Sequence, residues 1–467
     1  VAIPLWGTTQ VQGADSSAPV LSLDDAIKLA EQNAFSLKTA ASGVEQAHQG
    51  VNAAKAQLGP QVSISANYTH ILDHTNVGNL SGVTTGGTTA TTGATTGSTG
   101  ATGSTGFSSL SSIGTFVDTE EGTASLTLPI DVSGIIRKGV KAAQASYRAS
   151  RSNFAAADND LRLSVRQAYF QILQDKAQIS VAKESVTNAQ QTLTNAQQKL
   201  AAGTLARYDV LQYETQLSQT QSDLLTAQNN LEVSKENFNN ILARPIETPF
   251  DVADITDLPQ VTQTPEQLVL AAQNNRPDVA AQKHNIMALM YQREATEGSM
   301  DPSMSVGLSQ TNLFGPGTLS TEFYETSLFL NLNIPLWDSG LTRAKVKEAR
   351  QQEVQAQIAL DKLNLGIALE VRQDLSNLTS AASKLDVAKK QVDQASETYR
   401  LAVVRANAGE GTTLDVTNAQ TQLTTARTGL VNARYAYLIA YAALQRAIDQ
   451  DGAKTPPIIA PVAGKKI

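Results

Sequence analysis

No cysteine occurs in the chain, which excludes disulfides, thiolate zinc sites and thiol catalysis. Aromatics make up only 5% of the 467 residues, too few for several thick globular cores. No run of 18 apolar residues exists, so no transmembrane helix is expected. A formal charge of −7, with no basic block beyond a Lys-Lys or Arg-Lys pair, gives no footing for nucleic acid. Proline is missing from residues 130–244 and again from 336–455. Motifs for nucleotide binding (G-x-x-x-x-G-K-[ST]), zinc hydrolysis (H-E-x-x-H) and serine hydrolysis (G-x-S-x-G) are absent too. The carboxylates are scattered, and nothing pairs them into an acid/base site. No enzyme, cofactor or metal is expected.

What the chain does contain is written twice. "AGTLARYDV" at 202–210 returns as "AGEGTTLDV" at 408–416, an offset of 206 (409 − 203). The same offset relates Val165-Arg166-Gln167 to Val371-Arg372-Gln373, and Pro129 to Pro335. Upstream the offset is about 242, since Pro60 falls on Pro302 and "LAEQN" (29–33) nearly on "LAAQN" (270–274). Two tandem repeats follow, 22–245 and 264–450, with a tail at 1–21, a linker at 246–263 and a tail at 451–467. "VAIPLW" at the start reads as the end of a clipped signal h-region, with nothing basic before it. The change of offset (242 − 206 = 36) places an insertion of 36 residues between Pro60 and Pro129. Within it, residues 82–106 hold 11 Thr and 8 Gly, and 74–117 hold no Asp, Glu, Lys or Arg. Such a stretch buries too little apolar surface to offset its ordering entropy and is expected to be a solvated loop. His70, Asp73 and His74 beside it read as surface residues rather than metal ligands.

Four segments alternate with period two. Val62, Ile64, Ala66 and Tyr68 share a face, as do Leu126, Leu128, Ile130 and Val132. In the second repeat the faces are Met304, Val306, Leu308 and then Leu328, Leu330, Leu332, Ile334, Leu336. Each has the length and polar opposite face of a membrane β-strand. Amphipathic strands also build ordinary sandwiches; if these lie in a membrane, four cannot close a barrel, and several chains must contribute to one.

The proline-free stretches carry heptads. Val165, Ile172, Ile179, Val186, Leu193 and Leu200 alternate with Ala168, Asp175, Ala182, Ala189 and Ala196. Val371, Leu378, Leu385, Val392 and Tyr399 alternate with Asp374, Ala381, Ala388, Ala395 and Ala402. These seams predict two long antiparallel helical hairpins that reverse at Gly203 and Gly409. Shorter helices opening at Ser22 and Thr264 precede them.

Duplicated strand pairs, duplicated helical hairpins and glycine tips, with "NARYAYL" (432–438) and "PLWDSG" (335–340), resemble the TolC family of outer-membrane efflux proteins. The resemblance implies a mixed α and β fold. In it, long helical hairpins form a periplasmic tunnel, joined to a transmembrane β-barrel shared by three chains with four strands each. It also implies an outer-membrane exit duct that conducts cargo passively from a periplasmic adaptor and an inner-membrane transporter. The alternative is a non-channel periplasmic coiled-coil scaffold or adaptor. By position, Gly203, Thr204, Leu205, Gly409 and Glu410 would dock the adaptor. Asp415 would narrow the tunnel mouth as a gate, with Asn418 one turn on and Asp209 in the first repeat. Asp415 lies three residues after Thr412 and reads equally as a capping box. The Tyr and Arg that tie this mouth shut in the family fall on Ala406 and Gly411 here.

Overall fold

The computed structural model describes residues 19–70, 118–255, 258–314 and 323–449. The Gly/Thr-rich stretch 74–117, Asp73, His74 and most of both tails lie outside them. In chain order the elements are β1 (Val20–Leu21), α1 (Leu23–Asn33), α2 (Phe35–Ala56), β2 (Gln61–His70) and β3 (Asp118–Ile130). Then come α3 (Ile135–Ala201), α4 (Arg207–Ile241), β4 (Asp251–Val252), α5 (Pro265–Asn275) and α6 (Pro277–Glu297). β5 (Ser303–Phe314), β6 (Phe323–Asn333), α7 (Leu341–Asn407) and α8 (Thr413–Ile448) complete the order. Apart from the two-residue strands, each half runs helix, helix, strand, strand, very long helix, helix. The chain divides into a sheet unit, 53–139 with 294–345, and a helical unit made of the rest.

In the sheet unit the strands lie in the antiparallel order β2-β3-β5-β6. Period-two alternation fixes the register, because a slip of one residue would turn each apolar side chain to the other face. Val62 pairs with Leu126, Leu126 with Leu308, and Leu308 with Leu328, one apolar row across all four strands. The adjacent row is Ser63, Ser125, Ser309 and Ser327. Its hydroxyls bond in pairs at 2.8 Å, Ser63 with Ser125 and Ser309 with Ser327. Among the described residues nothing covers the apolar face: Ile64 is 83% exposed and Leu328 78%. Among the described residues β2 and β6 pair on one side only.

In the helical unit, α3 and α7 have 67 residues each, a span of about 100 Å at 1.5 Å per residue. The seam positions Val165, Ile172, Leu193, Val371, Leu378 and Leu385 are buried, while Ile179 and Val186 are half-buried. Around Tyr169 burial widens from a seam to a whole face, taking in Phe170 and Leu173. The reason is a packed core against α1, α4 and the stretch after α4, including Ala26, Ala30, Phe238, Phe250 and Val252. The connecting stretch 246–263 is therefore more than a linker. Its Asp251–Val252 pairs in parallel with Val20–Leu21. The Tyr169 hydroxyl reaches the carbonyls of Ala253 at 2.8 Å and Leu21 at 3.0 Å, one on each side of that pair. A second core joins Leu268, Ala272, Val279, Ile367, Val371 and Leu444.

The expected caps are present. Ser22 Oγ accepts from the Asp25 N–H, and Thr264 forms a reciprocal box with Gln267. Polar bonds join the two repeats side by side. Gln174 and Gln178 of α3 donate to Asn432 of α8 at 2.8 and 2.7 Å, and Gln420 of α8 donates to the Ser185 carbonyl.

One seam position works against stability. Asp374 sits partly buried beside Glu370; burial first, then the Glu370 charge, raises its pKa above the ordinary carboxylate value, against the pull of Arg446 and Arg276. The folded state thus holds this proton more tightly than the unfolded chain, so stability falls as pH rises above the ordinary carboxylate range. Asp374→Asn should raise the melting temperature at neutral pH. That gain should fade as the buffer is taken below the ordinary carboxylate pKa. An equal gain at every pH would assign the effect to something other than titration.

Candidate functional site

Both hairpins reverse through the same backbone device. At the first tip the Gly203 N–H donates to the Leu200 carbonyl and the Thr204 N–H to the Lys199 carbonyl, each at 2.9 Å. This 5→2 and 6→1 pair satisfies the last carbonyls of α3 and requires a left-handed residue at its corner. Gly203 supplies it with φ +74°. At the second tip Gly409 has φ +83°, and the Glu410 N–H donates to the Arg405 carbonyl at 3.0 Å. Gly203, Thr204, Gly409 and Glu410 are exposed, and Leu205 is half-buried. Leu205 packs on the cluster of Leu193, Ala196, Val210 and Tyr213 beneath the first tip.

Asp415 closes a capping box. Its Oδ2 accepts from the Thr412 N–H at 2.9 Å and the Thr412 hydroxyl at 2.8 Å, while its own N–H donates back to Thr412 Oγ1. The Thr412 N–H, then the Thr412 hydroxyl, and then the Arg405 charge hold its pKa below the ordinary carboxylate value. The carboxylate is therefore ionised and turned toward the start of its own helix. Asp209 behaves differently, accepting from the Thr413 hydroxyl of the other hairpin at 3.2 Å. Asn418 is exposed one turn into α8.

The structure brings the two tips together through Asp209 and through residues that the sequence pattern did not single out. Lys199, in the last turn of α3, donates to the Ala406 carbonyl at 3.0 Å and to Asn407 Oδ1 at 3.2 Å, in the last turn of α7. A cation at a helix C-terminus meets both the free carbonyls and the negative end of the dipole. Tyr213, its pKa pushed up by burial, bonds Thr413. These contacts surround a cavity of about 70 Å³ whose lining includes Lys199, Leu205, Tyr213, Asn407, Gly411 and Val416. Gly411 has no room for a side chain, since an added Cβ would lie 2.9 Å from the Ala406 nitrogen. So Gly411 and Ala406 pack backbone to backbone. A lysine ending a helix is too common to have drawn notice in the sequence. The sequence marks Gly411 only as a departure from the family pattern and gives no sign of its close approach to Ala406.

The remaining surface of note is the sheet, apolar on one face and hydroxylated on the other.

A family model described as outer membrane efflux protein matches residues 26–244 and 268–450. Among curated proteins, the chain is similar to the outer membrane efflux protein BepC of Brucella suis, 22% identical over 67% of this chain and 68% of that one. It is also similar to the outer membrane protein TolC of Escherichia coli, 25% identical over 60% of this chain and 59% of that one. The alkaline protease secretion protein AprF of Pseudomonas aeruginosa is 25% identical over 70% and 69%. Among solved structures, CusC superposes with a TM-score of 0.72 at 19% identity, covering 94% of this chain and 95% of that one. The Campylobacter jejuni CmeC outer membrane channel gives 0.71 at 17%, covering 96% and 93%. At these identities the structural likeness shows a shared fold.

Proposed function

Since the chain belongs to the outer membrane efflux protein family, and so to the outer membrane and to ducts rather than enzymes, we propose that three copies assemble one exit channel. The observation that carries this reading is the four-stranded sheet with an uncovered apolar face and two open edges. In hydrocarbon every unpaired backbone group costs several kcal/mol, so such a sheet is stable only when closed. Single-chain barrels begin at eight strands. Three sheets edge to edge give twelve (3 × 4), apolar outside and hydroxylated inside. The helices ask for neighbours as well: on α7, Val354, Ile358, Leu365 and Leu369 form an exposed stripe at spacings of 4, 7 and 4.

In this reading cargo passes down its gradient through the helical tunnel and the barrel. The energy comes from an inner-membrane transporter, and a periplasmic adaptor docks on Gly203, Thr204, Leu205, Gly409 and Glu410. Asp415, Asn418 and Asp209 ring the mouth. Relatives named for protease secretion and for efflux share the family, which suits a duct whose selectivity lies in its transporter.

The test is native mass measurement of detergent-purified protein, followed by planar-bilayer recording. A trimer that conducts ions is expected. A stable monomer in detergent, or a trimer that never conducts, rules the duct out.

A further inference from the structure

Among the side chains described on the hydroxylated face of the sheet, one aromatic stands among Ser, Thr, Asn, Gln and Glu. Phe329 on β6 pairs with Gly307 on β5, which pairs in turn with Thr127 on β3. Its neighbours on the same face of β6 are Ser327 and Asn331. A ring on this surface would ordinarily stand off the sheet, as strand side chains do. Here it lies down instead. A Cβ built on Gly307 would overlap Cζ of Phe329, with Cε1 at 2.9 Å, so the ring occupies the volume that any other residue's side chain would fill. Gly307 is buried beneath it and Phe329 is half-buried.

Resting on the proposed barrel, in which this face lines the channel, we propose that Gly307 is a seat that holds Phe329 flat against the wall and so sets the open width of the β-domain. Three such pairs would sit at one level, one from each copy. A substitution at Gly307 lifts three rings toward the axis, and cargo size is limited there. The seat is specific to an aromatic at 329: removing the ring makes a side chain at 307 harmless to the channel's width.

The same added Cβ would lie 2.8 Å from the Leu126 carbonyl, so Gly307→Ala also presses on β3. The experiment must separate lifted rings from a bent strand. Purified trimers of wild type, Gly307→Ala, Phe329→Ala and the double variant are recorded in planar bilayers. Polyethylene glycols of graded size are added from the extracellular side to find the largest polymer that enters. Gly307→Ala is expected to shift the cut-off to smaller polymers, Phe329→Ala not to lower it, and the double variant to match Phe329→Ala. If Gly307→Ala and the double variant are narrowed alike, strand distortion is responsible and the seat is wrong. Unchanged cut-offs throughout also overturn it. Should Gly307→Ala fail to assemble, Phe329→Trp keeps the glycine and overhangs it with a larger ring. A smaller cut-off supports the seat, and an unchanged one overturns it. A wild type that forms no channel refutes the duct itself, a different outcome from any of these.

Discussion

Replacing Arg276 by alanine should destabilise the protein by about 2 kcal/mol, more than any surface arginine would. Arg276 ends the break between α5 and α6, and its side chain is only 7% exposed. Nε and Nη2 both bond the Asp278 carboxylate, at 3.2 and 2.8 Å, and Nη1 reaches Glu370 on α7 at 2.7 Å. Nη1 also lies 3.4 Å from the carbonyl of Ala447 near the end of α8. One planar guanidinium thus holds three helices, and lysine cannot reproduce the fork. Removing one partner of a fully buried pair costs about 3–5 kcal/mol, because the other charge is left stranded. The estimate here is lower for two reasons. Asp278 and Glu370 each keep about a third of their side-chain surface in water, and Glu370 retains Arg446 as a second partner. Denaturant titration in detergent at fixed protein concentration measures the change. Glu370→Gln should cost less than Arg276→Ala, since Arg276 keeps Asp278. A loss within about 0.5 kcal/mol for Arg276→Ala, the range of ordinary surface changes, would mean that the fork does not hold these helices.

Arg276 also marks the limit of what the sequence discloses. Periodicity is a statement about local neighbours, so the period-two strands and heptad seams stood out and the repeats followed from their spacing. The apolar row through Val62, Leu126, Leu308 and Leu328 is the register those alternations require. Residues that act across long separations in sequence left no local trace. Arg276 next to Pro277 looks like a loop cation until Glu370, 94 positions away, is set beside it. Tyr169 and Phe170 depart from the heptad because the helix there meets a globular core, and no seam template contains one. Lys199 binds a carbonyl of Ala406, a group that every residue possesses, so no identity at 406 could have announced the contact. At Asp415 the local signal was real but double: the spacing from Thr412 specified the cap without deciding whether the charge has a second role.

Substituting Gly409 by tryptophan should leave assembled outer-membrane trimers that no longer export. A Cβ added at Gly409 meets nothing within 4 Å, and the residue is exposed, so a side chain there starts into open space. The positive φ carries a penalty of about 1–2 kcal/mol for a non-glycine residue, too small to unfold hairpins held by the cores around Tyr169 and Leu268. The strands belong to the other unit, so insertion should survive, and if the tip is the proposed docking site, export should fail because an adaptor cannot approach. Gly411→Val is the contrast, since its side chain strikes the backbone of Ala406 and should distort the turn as well as block docking. Asp415 asks a separate question, for which Asp415→Asn is better than alanine. An asparagine can still accept from the Thr412 N–H, keeping the box while removing three charges from a trimer's mouth; alanine keeps the Thr412 cap on its own N–H but loses the return bond to the Thr412 N–H. If the carboxylates line the gate, both variants should weaken the block of bilayer conductance by millimolar divalent cations. If Asp415 only caps α8, asparagine should keep wild-type block and alanine should merely loosen the helix start. Normal export by Gly409→Trp would remove the second tip from the docking site, whatever Asp415 does.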